Sequence, residues 1–284
     1  MPQVPTVTLH DHVVMPRLGF GVFLVRDNDD AARAVACALE TGYRAIDTAA
    51  YYRNERGVGR AVAESGLRRE DVFLTTKVWN ADNGYDSTLR AFDLSLKRLD
   101  MDYVDLYLIH WPDPAREAYV DTWRALERLW SEGRTRAIGV SNFNAHRLDE
   151  LRDKCGVIPS INQIELHPWL TQRALRAYHR DHGIVTQSWS PLGHGKLLDE
   201  PALAEIAAAH GKTAAQVIIR WNLQSGIVVI PKSVTPSRIA ENFDVLDFEL
   251  SEQDMNRIEA LNTDTRTGPD PEARWIGPVK PTPS

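Results

Sequence analysis

The run "VDLYLIH", Val104 to His110, decides the fold. Asp105 aside, every position before the histidine is apolar, on both of the faces that a two-residue period presents. Such a segment reads as a strand covered on both sides. Seven other short runs share its character: "RLGFG" (17–21), "YRAID" (43–47), "VFLTTK" (72–77), "RAIGVSN" (136–142), "SINQIE" (160–165), "IVTQSWS" (184–190) and "IVVIPKS" (227–233). Helical patterns lie between and after them, over Asp30 to Thr41, Glu55 to Ser65, Ser87 to Leu99, Tyr119 to Glu132, Ala145 to Lys154, Gln172 to His182, Ala202 to Ser225 (broken near Gly211) and Pro236 to Asp244. Thr41-Gly42 and Glu132-Gly133 are stop signals for two of these helices.

Apolar strands alternating with helices imply a parallel sheet with helices over it. Eight such units without a linker or a composition break predict a closed (β/α)8 TIM barrel, with residues 1–284 as one domain. An open doubly wound sheet would need a phosphate loop after its first strand. The sequence "GFGVF" (Gly19 to Phe23) stops after two glycines, and no Walker-type loop occurs elsewhere. Three parts lie outside the repeat: an N-terminal β-hairpin over Thr6 to Met15, an extra C-terminal helix over Glu252 to Leu261 begun by "SEQD" in a capping-box pattern, and a Pro- and Gly-rich tail after it.

The chain has 284 residues, 43% hydrophobic and 25% charged, enough for a full core, and its formal charge of −6 offers no basic field for nucleic acid or an anionic membrane. Only Cys37 and Cys155 are present, far apart, which fits a reducing compartment and neither a disulfide framework nor a zinc site. No basic start with an apolar run opens the chain, and no stretch approaches the roughly 18 apolar residues of a membrane span. The expectation is a cytoplasmic protein with a small-molecule partner.

In such a barrel the functional groups stand at the C-terminal ends of the strands. There the sequence places Asp47, Lys77, His110, Ser141-Asn142, Gln163 with Glu165, Ser188 to Ser190, and Lys232-Ser233. Asp47 and Lys77, on neighbouring strands, can compensate each other's desolvation. A metal hydrolase needs more ligands than these: no HxH stands at a strand end, a lysine beside a lone histidine is a poor cation site, and "HDH" (10–12) falls in the hairpin turn. No metal is therefore expected.

The stretch "DTAAYYRNE" (Asp47 to Glu55) hangs two tyrosines over the mouth. A phenol titrates near 10, too high for ready proton exchange at neutral pH, and a lysine cation within about 4–6 Å would lower it by about 1–3 units. Asp47 would hold the lysine in place, and His110 could hydrogen-bond the substrate oxygen. That combination suits carbonyl reduction, with hydride arriving at carbon and a proton at oxygen. Spacing alone leaves open which tyrosine is the acid.

The motifs "LGFGV", "YRAIDTAAYYRNE", "TTKVW", "DLYLIHWP", "IGVSNF", "NQIELHP" and "IPKSVTPSRIAENFDVLDFEL" run through nearly the whole chain. By these the sequence resembles the aldo-keto reductases, most of all the bacterial 2,5-diketo-D-gluconate reductase group, in "SWSPLGHGKLLDEP" and the compact tail. The resemblance implies a catalytic tetrad of Asp47, Tyr52, Lys77 and His110, and so Tyr52 rather than Tyr51 as the acid. It implies NADPH bound in extended form without a Rossmann fold. Ser141, Asn142 and Gln163 would bond the carboxamide and Trp189 would stack on the nicotinamide. Ser190, Leu192 and Gly195 would fold over the pyrophosphate, and Lys232, Ser233, Val234, Thr235, Arg238, Glu241 and Asn242 would hold the adenosine 2′-phosphate and adenine. Phe23, Trp79, Trp111 and Trp275 match substrate-pocket positions, and Arg266 is a candidate to approach the phosphates. Lys232 and Arg238 near a helix start are chemically suited to an anion.

The implied activity is NADPH-dependent reduction of aldehydes or ketones to alcohols, with 2,5-diketo-D-gluconate, small aldehydes and dicarbonyls as substrate classes, by a monomer. The alternative from another class is a nucleotide-binding regulatory protein on the same barrel with little turnover.

Overall fold

The computed structural model describes residues 4–9, 12–114 and 117–273. Strands β1 (Thr6–Thr8) and β2 (Val14–Pro16) pair antiparallel as the expected hairpin. His12, in its connection, has a left-handed φ of 60°, as a turn requires, while His10 and Asp11 lie outside the described residues.

Eight parallel strands follow: β3 (Phe20–Gly21), β4 (Ala45–Asp47), β5 (Phe73–Val78), β6 (Val104–Ile109), β7 (Thr135–Ser141), β8 (Ile161–Glu165), β9 (Val185–Trp189) and β10 (Val228–Val229), each bonded to the next in chain order. The ring closes between its ends. Leu18 and Val229 form a parallel bridge, the Gly19 N–H donates to Val229 O at 2.9 Å, and the Val229 N–H donates to Arg17 O at 2.8 Å. The last strand is shorter than the apolar run that announced it. Pro231 has no N–H to give the ladder, and strand pairing ends before it.

The helices are α1 (Asn28–Thr41), α2 (Glu55–Glu64), α3 (Tyr85–Leu99), α4 (Tyr119–Ser131), α5 (Ala145–Lys154), α6 (Arg173–Asp181), α7 (Pro201–His210), α8 (Ala214–Gln224), α9 (Pro236–Phe243) and α10 (Glu252–Glu259). The break near Gly211 is real. Gly211 ends α7 with a φ of 62°, and Thr213 restarts the chain with a capping box closed by Gln216. The extra helix α10 opens on the capping box of Ser251 and Asp254.

The core has two consequences for the site. Leu9, Val13 and Met15 of the hairpin region cluster with Ala45, Phe73, Leu106, Ala137, Ile161 and Val228, at or near the N-terminal ends of their strands. That closes the floor of the barrel and leaves the opposite end as the mouth. Helix α2, which follows the loop of Tyr52, is wedged between its neighbours: a Cβ on Gly57 would lie 2.0 Å from Asn28 O, and one on Gly59 2.0 Å from Leu99 O. Only glycine permits that approach.

Candidate active site

Strands β4, β5 and β6 are adjacent and parallel, so the residues at their C-terminal ends share one rim. Asp47 ends β4, Lys77 is the penultimate residue of β5, and His110 follows β6. The Lys77 ammonium has three oxygens around it: Asp47 Oδ1 at 2.5 Å, the Thr48 carbonyl at 2.9 Å and the Tyr52 hydroxyl at 3.4 Å. Asp47 Oδ2 accepts from Gln163 Nε2 at 2.7 Å. The phenol on the lysine is therefore that of Tyr52. Tyr51 instead lies flat on Trp79, with ring centroids 3.9 Å apart.

The electrostatics run partly against expectation. Burial raises the Tyr52 pKa well above its ordinary value of 10.0, and the negative charge of Asp47 raises it further. Lys77 does not reverse this, because burial lowers its own pKa and its charge is already compensated by Asp47. The expected lowering of the tyrosine is corrected accordingly: in this site Tyr52 holds its proton firmly. His110 is only 7% exposed, and burial together with the Lys77 charge holds its pKa well below 6.5. A neutral imidazole thus faces the mouth, and its Nδ1 has no hydrogen-bond partner among the described residues.

Aromatic rings surround this polar focus. The Tyr52 ring lies 5.1 Å from that of Phe23 and 5.5 Å from that of His110. Trp79 meets His110 edge-on at 5.2 Å, and Trp111 meets Trp189 at 6.3 Å. The fourth expected wall residue, Trp275, lies outside the described residues.

Along the rim, the positions expected to hold a nucleotide form two groups. Ser141 Oγ donates to Gln163 O at 2.8 Å, Asn142 Nδ2 donates to His110 O and Ser141 Oγ at 3.0 Å each, and Asn142 Oδ1 accepts from Trp189 Nε1 at 2.8 Å. Gln163 Nε2 also donates to Gln187 Oε1 at 2.8 Å, so with Asp47 both its donors are in use and its carbonyl oxygen remains to meet an amide. After β9, Ser190 has a left-handed φ of 48° and Gly195 one of 87°, and the Gly195 N–H closes a turn onto Leu192 O at 2.9 Å. The second group begins α9. Ser233 Oγ accepts from the Thr235 N–H at 3.1 Å, Val234 is exposed and Asn242 buried. Lys232 and Arg238 have no hydrogen bond or ion pair with the described residues, whereas Glu241 accepts from the Thr213 hydroxyl at 2.9 Å. Partial burial lowers the Lys232 pKa. Two uncompensated cations at the start of a helix with no side-chain cap suit a phosphate.

The sequence model of the Aldo/keto reductase family matches residues 17–263. The chain belongs to that family. It is 54% identical over 267 residues to the glyoxal reductase of Bacillus subtilis, covering 94% of this chain and 96% of that protein. It is 51% identical over 274 residues to the methylglyoxal reductase DkgA of Escherichia coli, covering 96% and 98%. Among solved structures, a mutant of Gox0644 in complex with NADPH superposes with a TM-score of 0.92 at 47% identity, covering 96% of this chain and 100% of that one.

The reductase also has features at its mouth that sequence reasoning missed. Thr48 contributes a carbonyl to Lys77, and Gln187 steadies Gln163. The tail returns over the rim at Glu165. Glu165 Oε1 accepts from the Thr267 N–H at 2.5 Å, the Thr267 hydroxyl at 2.7 Å, the Gly268 N–H at 3.0 Å and His167 Nε2 at 3.0 Å. Arg266 stands 3.7 Å from Glu165 Oε2, so its described partner is this carboxylate. Burial pushes the Glu165 pKa up, but the hydrogen bonds from His167, Thr267 and Gly268 outweigh it and hold it at about 2. A Cβ on Gly268 would lie 2.5 Å from Trp189 Cη2, so the tail backbone rests directly on that indole.

Proposed function

We propose that the protein reduces small carbonyl compounds to alcohols with NADPH, α-dicarbonyl aldehydes foremost, and that Tyr52 donates the proton. The observation that carries this reading is the contact of the Tyr52 hydroxyl with Lys77 Nζ, 3.4 Å apart, beside the buried Asp47. The names of the glyoxal and methylglyoxal reductases support the substrate class, and the NADPH complex of a 47% identical neighbour supports the cofactor. The residues along the rim fit that nucleotide. Lys232 and Arg238 lack partners among the described residues and would take the 2′-phosphate, the Gln163 side-chain oxygen with Ser141 and Asn142 would take the carboxamide, and Trp189 would offer a flat face. When bound, NADPH supplies the hydride that adds to the carbonyl carbon.

The protein's own part follows from the electrostatics. Tyr52 keeps its proton at neutral pH because its pKa is raised, so it is present in the donor form. As the substrate oxygen gains negative charge and takes that proton, the phenolate left behind is stabilised by the Lys77 ammonium, which Asp47 keeps charged and in place. His110, neutral, hydrogen-bonds the same oxygen and orients the carbonyl without bringing a competing charge. Phe23, Trp79 and Trp111 wall the pocket and exclude water. An aromatic pocket with one polar focus admits ketones and the diketosugar class as well. We read the chain as one barrel domain in the cytoplasm, acting as a monomer, and light scattering on the purified protein checks the monomeric state.

The test is a panel of glyoxal, methylglyoxal and 2,5-diketo-D-gluconate with NADPH and NADH. Tyr52→Phe is expected to lose at least about 100-fold in kcat, in line with the loss of general acid catalysis, while Tyr51→Phe retains most activity. Near-normal turnover by Tyr52→Phe would overturn the assignment. Tight NADPH binding with no turnover across the panel would leave the regulatory-barrel alternative.

A further inference from the structure

The turn that carries Tyr52 has little support of its own. Ala50–Tyr52 is a single 3-10 turn with no fully buried residue, followed by Arg53 in a left-handed conformation at φ 59°. A proton donor nevertheless has to be held to a fraction of an ångström. Something outside the turn must fix it.

Asn54 is fully buried, at 0% exposure, and occupies the N-cap position of α2. An asparagine there ordinarily accepts a hydrogen bond from the first turn of its helix. This one makes no such bond. Its Oδ1 instead accepts from the Thr48 hydroxyl at 2.9 Å, and its Nδ2 donates to the Val22 carbonyl at 3.0 Å. Both partners lead to the chemistry. The Thr48 carbonyl accepts from Lys77 Nζ at 2.9 Å, and the Val22 N–H donates to the Asp47 carbonyl at 3.1 Å. Val22 also precedes Phe23, whose ring lies against Tyr52. The next residue continues the pattern: Glu55 Oε1 accepts from the hydroxyl of Thr76, beside Lys77, at 2.6 Å, and its Oε2 pairs with Arg98 at 2.6 Å.

We propose that Asn54 is a positioning residue for Tyr52, acting through a buried lock with Thr48 and Val22 that ties the tyrosine loop to the strand ends bearing Asp47 and Lys77. The capping bond is forgone so that the side chain can span two loops. This inference rests on Tyr52 being the proton donor.

The experiment measures single-turnover NADPH oxidation with methylglyoxal, NADPH affinity by fluorescence, and the solvent deuterium isotope effect, for Asn54→Ala, Thr48→Val, Thr48→Ser and Tyr52→Phe. Thr48→Val is nearly isosteric and removes only the hydroxyl, so it carries the test even where Asn54→Ala folds poorly. The expected result is a single-turnover rate about 10- to 100-fold lower in Asn54→Ala and Thr48→Val, because a misplaced reacting group costs that much. NADPH affinity should stay within about 3-fold and the solvent isotope effect should rise, since proton transfer is the step disturbed. Thr48→Ser, which restores the hydroxyl, should recover most of the rate. If Tyr52→Phe is inactive while Thr48→Val keeps the wild-type rate and isotope effect and only its melting temperature falls, the lock is structural and the inference fails alone. If Tyr52→Phe itself retains turnover, the proton-donor reading falls and takes the inference with it.

Discussion

Lys77 and Asp47 form an ion pair out of reach of water: Nζ and Oδ1 are 2.5 Å apart, and the side chains are 0% and 4% exposed. Removing one partner of such a pair leaves an uncompensated buried charge, typically at a cost of about 3–5 kcal/mol. Asp47→Asn should therefore lower stability by about that amount in urea denaturation. It should also change the pH profile. Burial already lowers the Lys77 pKa and Asp47 counteracts this, so without the aspartate the ammonium loses its proton at a lower pH. The alkaline fall of kcat should move to lower pH in Asp47→Asn; an unmoved alkaline limb with a simple uniform loss would argue against Lys77 as the charge that supports Tyr52.

Lys232 and Arg238 differ from most charges in this molecule in having no partner to lose among the described residues. Their replacement by alanine should leave the melting temperature nearly unchanged. If they hold the 2′-phosphate, each substitution should raise KM for NADPH by about 10- to 100-fold, the worth of one charge-assisted hydrogen bond. KM for NADH should hardly move. Equal losses with both cofactors would remove the 2′-phosphate from the argument.

Two buried groups make the fold sensitive to acid in the same direction. Glu165 is held at about 2 against an ordinary 4.5, so its stabilisation is present above pH 4.5 and is lost as pH falls toward 2. His179, bonded to Asn162 and Thr186, is pushed down to about 3 by burial and by the charge of His182. The unfolded chain then binds its proton first, and stability falls as pH drops from 6.5 to 3. Urea midpoints measured against pH should show Glu165→Gln flatter than wild type below pH 4.5, with a loss at neutral pH on the order of 3 kcal/mol. Parallel curves for the two proteins would mean that the tail does not depend on that carboxylate.

Much of the architecture was legible because it rests on local chemistry. The two-sided apolar strands, the glycine that ends α7 and the capping box of Ser251 all act within a few residues, and the elements fall where those signals stand. The rim residues Asp47, Lys77 and His110 were legible for a different reason: charged or polar groups at the ends of apolar strands have to find one another. Other features depended on distance in space. Nothing in the spacing of "DTAAYYRNE" separates Tyr51 from Tyr52, and only resemblance did so. The sign of the Tyr52 shift is opposite to the expectation because burial, which the sequence does not display, is its largest cause and the Asp47 charge adds to it. Glu165 meets Thr267 across a gap of 102 residues, and no local pattern announces that contact. Asn54 carries no local signal of its role, which is visible only from the positions of Thr48 and Val22.

The β1–β2 hairpin seals one end of the strands while the reactive groups stand at the other. The molecule therefore has a back and a front. A catalyst immobilised through the hairpin face would present its entrance to the passing solution, and loops at the front could be exchanged for new selectivity while the sealed end continued to hold the ring together.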